Sequence, residues 1–343
     1  MRRLLNTLYI TREDAFLSLD GENIVVKADS SEIARFPFHN LDSVISFSYK
    51  GATPSLMGKC VEKGITLSFC TPQGKFLARC DGRSKGNVLL RREQYRIADD
   101  EQRSLDLANM FIFGKVFNAR WVIERAKRDH PLRIDENQFD IVSDHMKRAL
   151  CKVRQSHSLD NLRGIEGELA AEYFKVFDQM ILREKDVFFF VERNRRPPRD
   201  ACNALLSYVY MLLTSMCSNA LEAVGLDSYV GFLHRDRPGR TSLALDLMEE
   251  LRPCMGDRFV LTLINNRVVQ SSDFEFDETG SVKIKDIARR EILRTWQEKK
   301  KEEITHPFLK EKVEWGLVPY IQAQLLARCI RGENEKYPPF LWK

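Results

Sequence analysis

The hydrophobic period of this chain changes once, at the polar, glycine-rich stretch Asp81-Gly82-Arg83-Ser84-Lys85-Gly86. Before it, apolar residues come in short runs separated by turn residues. After it, they recur at helical spacing. One segment cannot satisfy both periods, because side chains alternate across a strand but return to one helix face every third or fourth residue. The expected fold class is therefore α+β: a small N-terminal β domain with one helix over residues 1–85, then a larger, mostly α-helical domain over residues 86–343.

Strands are expected at Leu4–Ile10, Phe16–Leu19, Ile24–Val26, Ile33–Phe36 and Val44–Phe47, with Asp20-Gly21 as a hairpin signal. Thr53-Pro54 opens a helix, with Thr53 as N-cap and Pro54 in the first turn, and Gly64 closes it. Two more strands follow, Ile65–Cys70 and Lys75–Cys80. In the helical half, Asp200 caps a helix from Ala201 to Val224 that stops at Gly225, and a last helix runs from Val313 to Ile330.

Hydrophobic residues make up 43% of the chain and charged residues 30%, which suits an ordinary core and argues against disorder. A net charge of +5 permits a polyanionic partner without requiring one. The eight cysteines lack any CxxC pair, so a zinc knuckle is excluded and a reducing, cytoplasmic setting is expected. The most apolar run, Leu205 to Cys217, is too short to span a bilayer and reads as a buried helix. No membrane association is expected.

Chemistry concentrates in one stretch. Gly231-Phe232-Leu233-His234 is followed by Arg235, Arg237 and Arg240, then by Asp246, Glu249 and Glu250. Imidazole with carboxylates suits a fairly hard divalent cation such as Mg²⁺ or Mn²⁺. The guanidinium groups between them suit phosphate. Upstream, Leu162, Ile165, Leu169, Tyr173 and Val176 keep helical spacing. On that helix Glu166 falls within roughly 50° of the apolar face and Glu168 about 110° from it, so Glu166 points inward and Glu168 to solvent. Gly164, Gly167 and Ala171 form a stripe of small residues, and two helical glycines cost about 1 kcal/mol each relative to alanine. A close neighbour, a helix or a nucleic acid, is expected over that stripe. Arg193, Arg195, Arg196 and Arg199 flank Pro197-Pro198 and read as an exposed or phosphate-facing loop. Taken singly, each acid has a plainer reading. Glu166 would be a buried salt bridge to an arginine, His234 a core histidine, and Asp246 with Glu249 a solvated acidic face.

Three segments together resemble one family. They are Arg163-Gly164-Ile165-Glu166-Gly167 with Ala170 and Tyr173-Phe174; Arg196-Pro197-Pro198-x-Asp200-x-x-Asn203-Ala204-Leu205-Leu206-Ser207; and Gly231-Phe232-Leu233-His234 through Ser242 to Glu249. They are similar to the CRISPR-associated integrase, the first-numbered protein of the spacer-acquisition machinery. The C-terminal segment Ala323 to Trp342 resembles its subtype I-C branch.

The resemblance implies a metal-dependent DNA endonuclease and integrase that joins short foreign DNA fragments into a CRISPR array by transesterification. It implies Glu166, His234 and Glu249 as ligands of Mg²⁺ or Mn²⁺, with Asp246 at a further catalytic acidic position. Some members carry Asp where this chain has Glu249, one methylene shorter. Arg163, Arg193, Arg195, Arg196, Arg199, Arg235, Arg237 and Arg240 are the expected nucleic-acid contacts. Double-stranded and branched DNA, a homodimer and a heterocomplex with the second-numbered CRISPR-associated protein are the implied partners. A non-catalytic nucleic-acid-binding scaffold and an RNA-processing nuclease are the competing readings.

Overall fold

The computed structural model describes residues 7–41, 43–71, 76–80 and 88–343. The expected boundary at 81–86, the first residues of the strand Leu4–Ile10 and the first of Lys75–Cys80 lie outside these. The chain divides into two compact units, Met1–Gly86 with Asp286–Gln297, and Asn87–Lys285 with Glu298–Lys343.

The first unit holds strands β1 (Thr7–Ile10), β2 (Phe16–Asp20), β3 (Asn23–Ala28), β4 (Ser31–Pro37) and β5 (Ser43–Ser46), helix α1 (Pro54–Glu62), and strands β6 (Thr66–Cys70) and β7 (Phe76–Cys80). β2, β3 and β4 make an antiparallel sheet, and the others a sheet ordered β1-β5-β6-β7 in which only β6–β7 is antiparallel. Parallel pairing of β5 with β6 needs a crossover, and α1 supplies it. Thr53 Oγ1 accepts from Leu56 N at 3.3 Å, and Pro54 sits in the first turn. Gly64, at φ +69°, lets the chain reverse so that Ile65 N reaches Cys60 O at 2.8 Å. Leu17, Ile24, Val44, Leu56, Cys60 and Leu67 form the core between the layers.

The second unit is mainly helical: α2 (Val88–Asp99), α3 (Glu101–Asp129), α4 (Glu136–Arg154), α5 (Leu159–Phe177), α6 (Ala201–Ala223), α7 (Ser242–Leu251), α8 (Arg258–Asn265) and α10 (Val318–Ile330), with α9 (Asp286–Lys300) running from one unit into the other. α3 packs against α2, α4, α5 and α7, and α6 against α7, α8 and α10. Between α7 and α8, residues Arg252–Asp257 wind as a wider π-helical turn. Pro253, which has no N–H to give the ladder, lies inside it.

Asp200 caps α6 by accepting from Asn203 N at 2.7 Å, as expected. At 23 residues α6 is long and apolar enough to cross a membrane by composition, so length alone does not exclude a span. Its most apolar window is 67% buried inside the unit, which makes it a core helix here. The last helix begins at Val318, not Val313. Val313 lies in a strand and pairs with Ile304, and Pro319 fixes the first helical turn, where a missing N–H costs nothing. Two hairpins, β8 (Phe274–Phe276) with β9 (Val282–Ile284) and β10 (Glu303–Thr305) with β11 (Lys312–Glu314), interrupt the helical half. Their three-residue strands are too short to show alternation in sequence.

The C-terminal segment is tied down by buried polar groups. Asn118 on α3 donates to Glu250 O at 2.6 Å and Phe340 O at 2.7 Å, and accepts from Trp342 N at 2.8 Å. Gln322 on α10 donates to Glu250 Oε1 at 2.9 Å and accepts from His306 Nε2 at 3.1 Å. His306 is wholly buried, and its Nδ1 accepts from the backbone N–H groups of Phe308 and Leu309. A proton on Nδ1 would face two donors. Burial pushes the His306 pKa down to about 4 from 6.5. Between those values the unfolded chain binds the extra proton, so stability rises with pH. His306 should therefore cost the wild type about 2–3 kcal/mol as pH falls from 6.5 to 4. Urea titrations of wild type and His306→Gln at pH 7 and pH 4.5 check this. The variant should lose less on acidification, and equal losses would remove His306 as the cause.

Candidate active site

The irregular segment between α6 and α7 is held from three sides. Gly225, at φ +86°, ends α6 and turns the chain so that Leu226 N reaches Leu221 O at 3.0 Å. Gln94 on α2, fully buried, donates to Asp227 O at 2.8 Å and Val230 O at 2.9 Å and accepts from Asp227 N at 2.9 Å. Asp246 on α7 then gathers the next turn. Its Oδ2 accepts from Phe232 N at 2.6 Å and Leu233 N at 2.9 Å, and its Oδ1 from His234 N at 3.0 Å and His234 Nδ1 at 2.6 Å. The backbone passes so close that a Cβ at Gly231 would lie 2.9 Å from Asp246 Oδ2 and from Ser242. Glycine is required there.

Asp246 is completely buried and both its oxygens are committed. It orients the imidazole. With Nδ1–H given to Asp246, the Nε2 lone pair of His234 remains for a Lewis acid, the usual arrangement of a carboxylate behind a metal-binding histidine.

Arg163, Glu166, Leu233, His234, Arg235, Arg237, Arg240 and Glu249 line a cavity of about 410 Å³. Glu166 comes from α5, Glu249 from α7 and His234 from the loop. Glu166 and His234 are half-buried, and Glu249 is 4% exposed. A lysine absent from the sequence expectations stands among them. Lys115 Nζ, on α3, pairs with Glu166 Oε1 and lies 2.7 Å from Glu249 Oε2. Arg252 Nη2 takes Glu249 Oε1 at 2.7 Å and lies over the Tyr210 ring at 4.8 Å. Burial alone would raise the Glu249 pKa, but Arg252, then Lys115 and His234, outweigh it and bring it to about 2.

The three carboxylates of α7 do not form a solvated face. All are buried, each facing its own set of partners. Glu250 accepts from Tyr337 Oη, Gln322 Nε2 and Phe340 N, and burial still lifts its pKa to about 7. Glu166 is paired with a lysine, not an arginine, and Glu168 is exposed as expected.

The arginines separate into two groups. Arg163 is fixed by Leu233 O at 2.6 Å and Asp160 at 2.6 Å, and Arg240 by Arg235 O, while Arg235 and Arg237 are exposed on the rim. None of the arginines in the loop around Pro197-Pro198 lines the cavity. Arg193 turns inward to Asn203 Oδ1 at 2.6 Å and Ser207 Oγ at 3.0 Å, so it organises the loop. Arg195, Arg196 and Arg199 are exposed. A Cβ at Gly164 or Gly167 would meet nothing within 4 Å, so among the described residues no helix covers these two glycines.

Sequence reading missed Lys115 and Arg252. The signal for Lys115 was available: one cation inside the apolar run Phe111-Ile112-Phe113-Gly114-Lys115-Val116-Phe117 must find a buried partner. Gly114 reinforces it, since a Cβ there would lie 2.8 Å from Glu250 Cβ, and this close passage brings α7 onto α3. Burial pushes the Cys60 thiol up to about 12, and Cys202, Cys217 and Cys254 are also raised by burial.

Among the described residues, no three His, Cys, Asp or Glu side chains are grouped closely enough to hold an ion as they stand. The donor set nevertheless fits a divalent cation. Glu249 Oε2 is buried with a charge beside it but no directed hydrogen bond, and Nε2 of His234 is available. What stands between the two carboxylates is an ammonium group.

The profile described as "CRISPR associated protein Cas1" matches residues 8–298. A CRISPR-associated endonuclease Cas1 of Chlorobaculum tepidum is 44% identical over 343 residues, covering all of both chains. One from Rhodospirillum rubrum is 48% identical over 347 residues, again covering both completely. Among solved structures, a casposase bound to integration product has the same fold, with a TM-score of 0.83 and 23% identity over all of this chain and 95% of the other.

Asp246→Asn keeps the side-chain shape but disturbs the Nδ1–H contact that sets the His234 tautomer. Affinity for Mn²⁺ should fall about 10–100-fold with the fold retained, measured by calorimetric titration alongside circular dichroism. Unchanged affinity would show that His234 does not depend on Asp246.

Proposed function

The chain belongs to the Cas1 family of CRISPR-associated proteins, and we propose that the cavity around Glu166, His234 and Glu249 is the centre at which it cuts and joins DNA strands. It is a metal-dependent DNA endonuclease and integrase. The observation that carries the site assignment is convergence: residues from α5, the 226–241 loop and α7 meet around one cavity whose remaining wall is mostly arginine.

The reaction is a transesterification in which a 3′-hydroxyl of a short DNA fragment attacks a phosphodiester of the repeat array, forming a new P–O bond as the bond to the array strand's 3′-oxygen breaks and that oxygen leaves as a 3′-hydroxyl. Water in place of the hydroxyl gives hydrolysis. Arg163 and Arg240, fixed by backbone carbonyls, hold phosphate oxygens in line, and exposed Arg235 and Arg237 extend that grip outward. Asp246 takes the Nδ1 side of the imidazole, so Nε2 is the atom of His234 that would hold a cation. Arg252 keeps Glu249 from swinging, leaving one carboxylate oxygen for coordination. When bound, Mg²⁺ or Mn²⁺ polarises the phosphoryl group and favours the deprotonated nucleophile, a contribution of several kcal/mol.

The partners follow from the resemblance of the three sequence segments: double-stranded and branched DNA, a second copy of the chain, and the second-numbered CRISPR-associated protein. The uncovered Gly164-Gly167 face and the exposed Arg195, Arg196 and Arg199 are surfaces where such partners fit. The I-C subtype rests on the segment Ala323 to Trp342, and a cytoplasmic setting on cysteines that occur singly along the sequence.

Glu166→Ala should bind branched DNA as wild type does, yet give no joined product with Mn²⁺. Gel-resolved strand transfer with and without chelator checks both. Undiminished joining would remove Glu166 from the mechanism. Binding without any metal-dependent product from the wild type would leave the protein a scaffold.

A further inference from the structure

The two acids assigned to the cation are already neutralised. Lys115 Nζ pairs with Glu166 and lies 2.7 Å from Glu249 Oε2, in the space a bridging cation would take. A dication cannot join this arrangement unchanged. At a separation of a few ångströms its repulsion with an ammonium group is large even in a polar protein site. One of the two cationic side chains must give way.

The geometry decides which. Arg252 is wedged between Glu249 and the Tyr210 ring, and its planar guanidinium holds the carboxylate oxygen that faces away from Lys115. Lys115 has a flexible four-carbon stem ending in a point charge, and it touches both acids of the lined cavity.

We propose that Lys115 is an internal counter-cation: it holds Glu166 and Glu249 together in the metal-free protein and is displaced when a divalent cation enters. This rests on reading the cavity as a metal centre. Lys115 is thus a positioning residue that competes with the metal. It preserves the two carboxylates in ligating register, and it weakens apparent metal affinity because its ion pairs must break first.

The test uses the full chain and MnCl₂. Free Mn²⁺ is followed by electron paramagnetic resonance during titration of wild type, Lys115→Met and Lys115→Gln. Both variants should bind at least tenfold tighter than wild type. Equal or weaker binding by variants that fold would overturn the proposal while leaving the metal centre intact. Absence of Mn²⁺ binding by every protein would remove the metal centre and the proposal together. A second measurement needs no variant. Wild-type protein is labelled with an amine-acylating reagent and Lys115 modification is read by mass spectrometry. Labelling of Lys115 should rise several-fold on adding Mn²⁺, with surface lysines unchanged. Constant or reduced labelling would mean that the side chain stays where it is.

Discussion

A single buried carboxylate organises the proposed centre. Asp246 has no solvent contact and receives three consecutive backbone N–H groups together with the His234 ring. Stripped of these donors, a charge at that depth would be very costly. With them, it converts an irregular loop into a fixed turn and selects the imidazole tautomer in one step. Gly231 belongs to the same device, because no side chain fits between the turn and the carboxylate.

The same need for compensation shapes the rest of α7. Asp246, Glu249 and Glu250 occupy neighbouring faces of one buried helix, and each is answered by different chemistry: backbone amides and imidazole, two cations, and neutral donors. The environments set their protonation apart. Glu249 is held ionised near the lower limit for a carboxylate, while Glu250, which among the described residues meets only neutral donors, rises to about 7. A helix with three acids is thereby buried without three uncompensated charges.

Much of this was legible in the residues. The change of hydrophobic period, the Thr53-Pro54 and Asp200 caps and the terminating glycines fix local backbone choices, and the corresponding elements are present. Helical phase separated inward Glu166 from outward Glu168. What could not be read depended on long-range pairing. Arg193 resembles its exposed neighbours in sequence, yet it turns inward to Asn203 and Ser207 on the next helix. Lys115 lies 51 positions before Glu166, and only the packing of α3 against α5 and α7 makes them partners. The three-residue hairpin strands carry too few residues for any period to register.

The grip of Asn118 and Glu250 on the final segment has a temporal meaning. Phe340 N, which answers one oxygen of Glu250, lies 90 residues further along the chain, and Trp342 N, which answers Asn118, lies 224 residues further. During synthesis α7 therefore emerges long before the groups that quench its buried acid. Glu250 on α7 gains its Phe340 partner only once residues 90 positions later have been made, so a nascent chain holds this buried acid for a time without that donor.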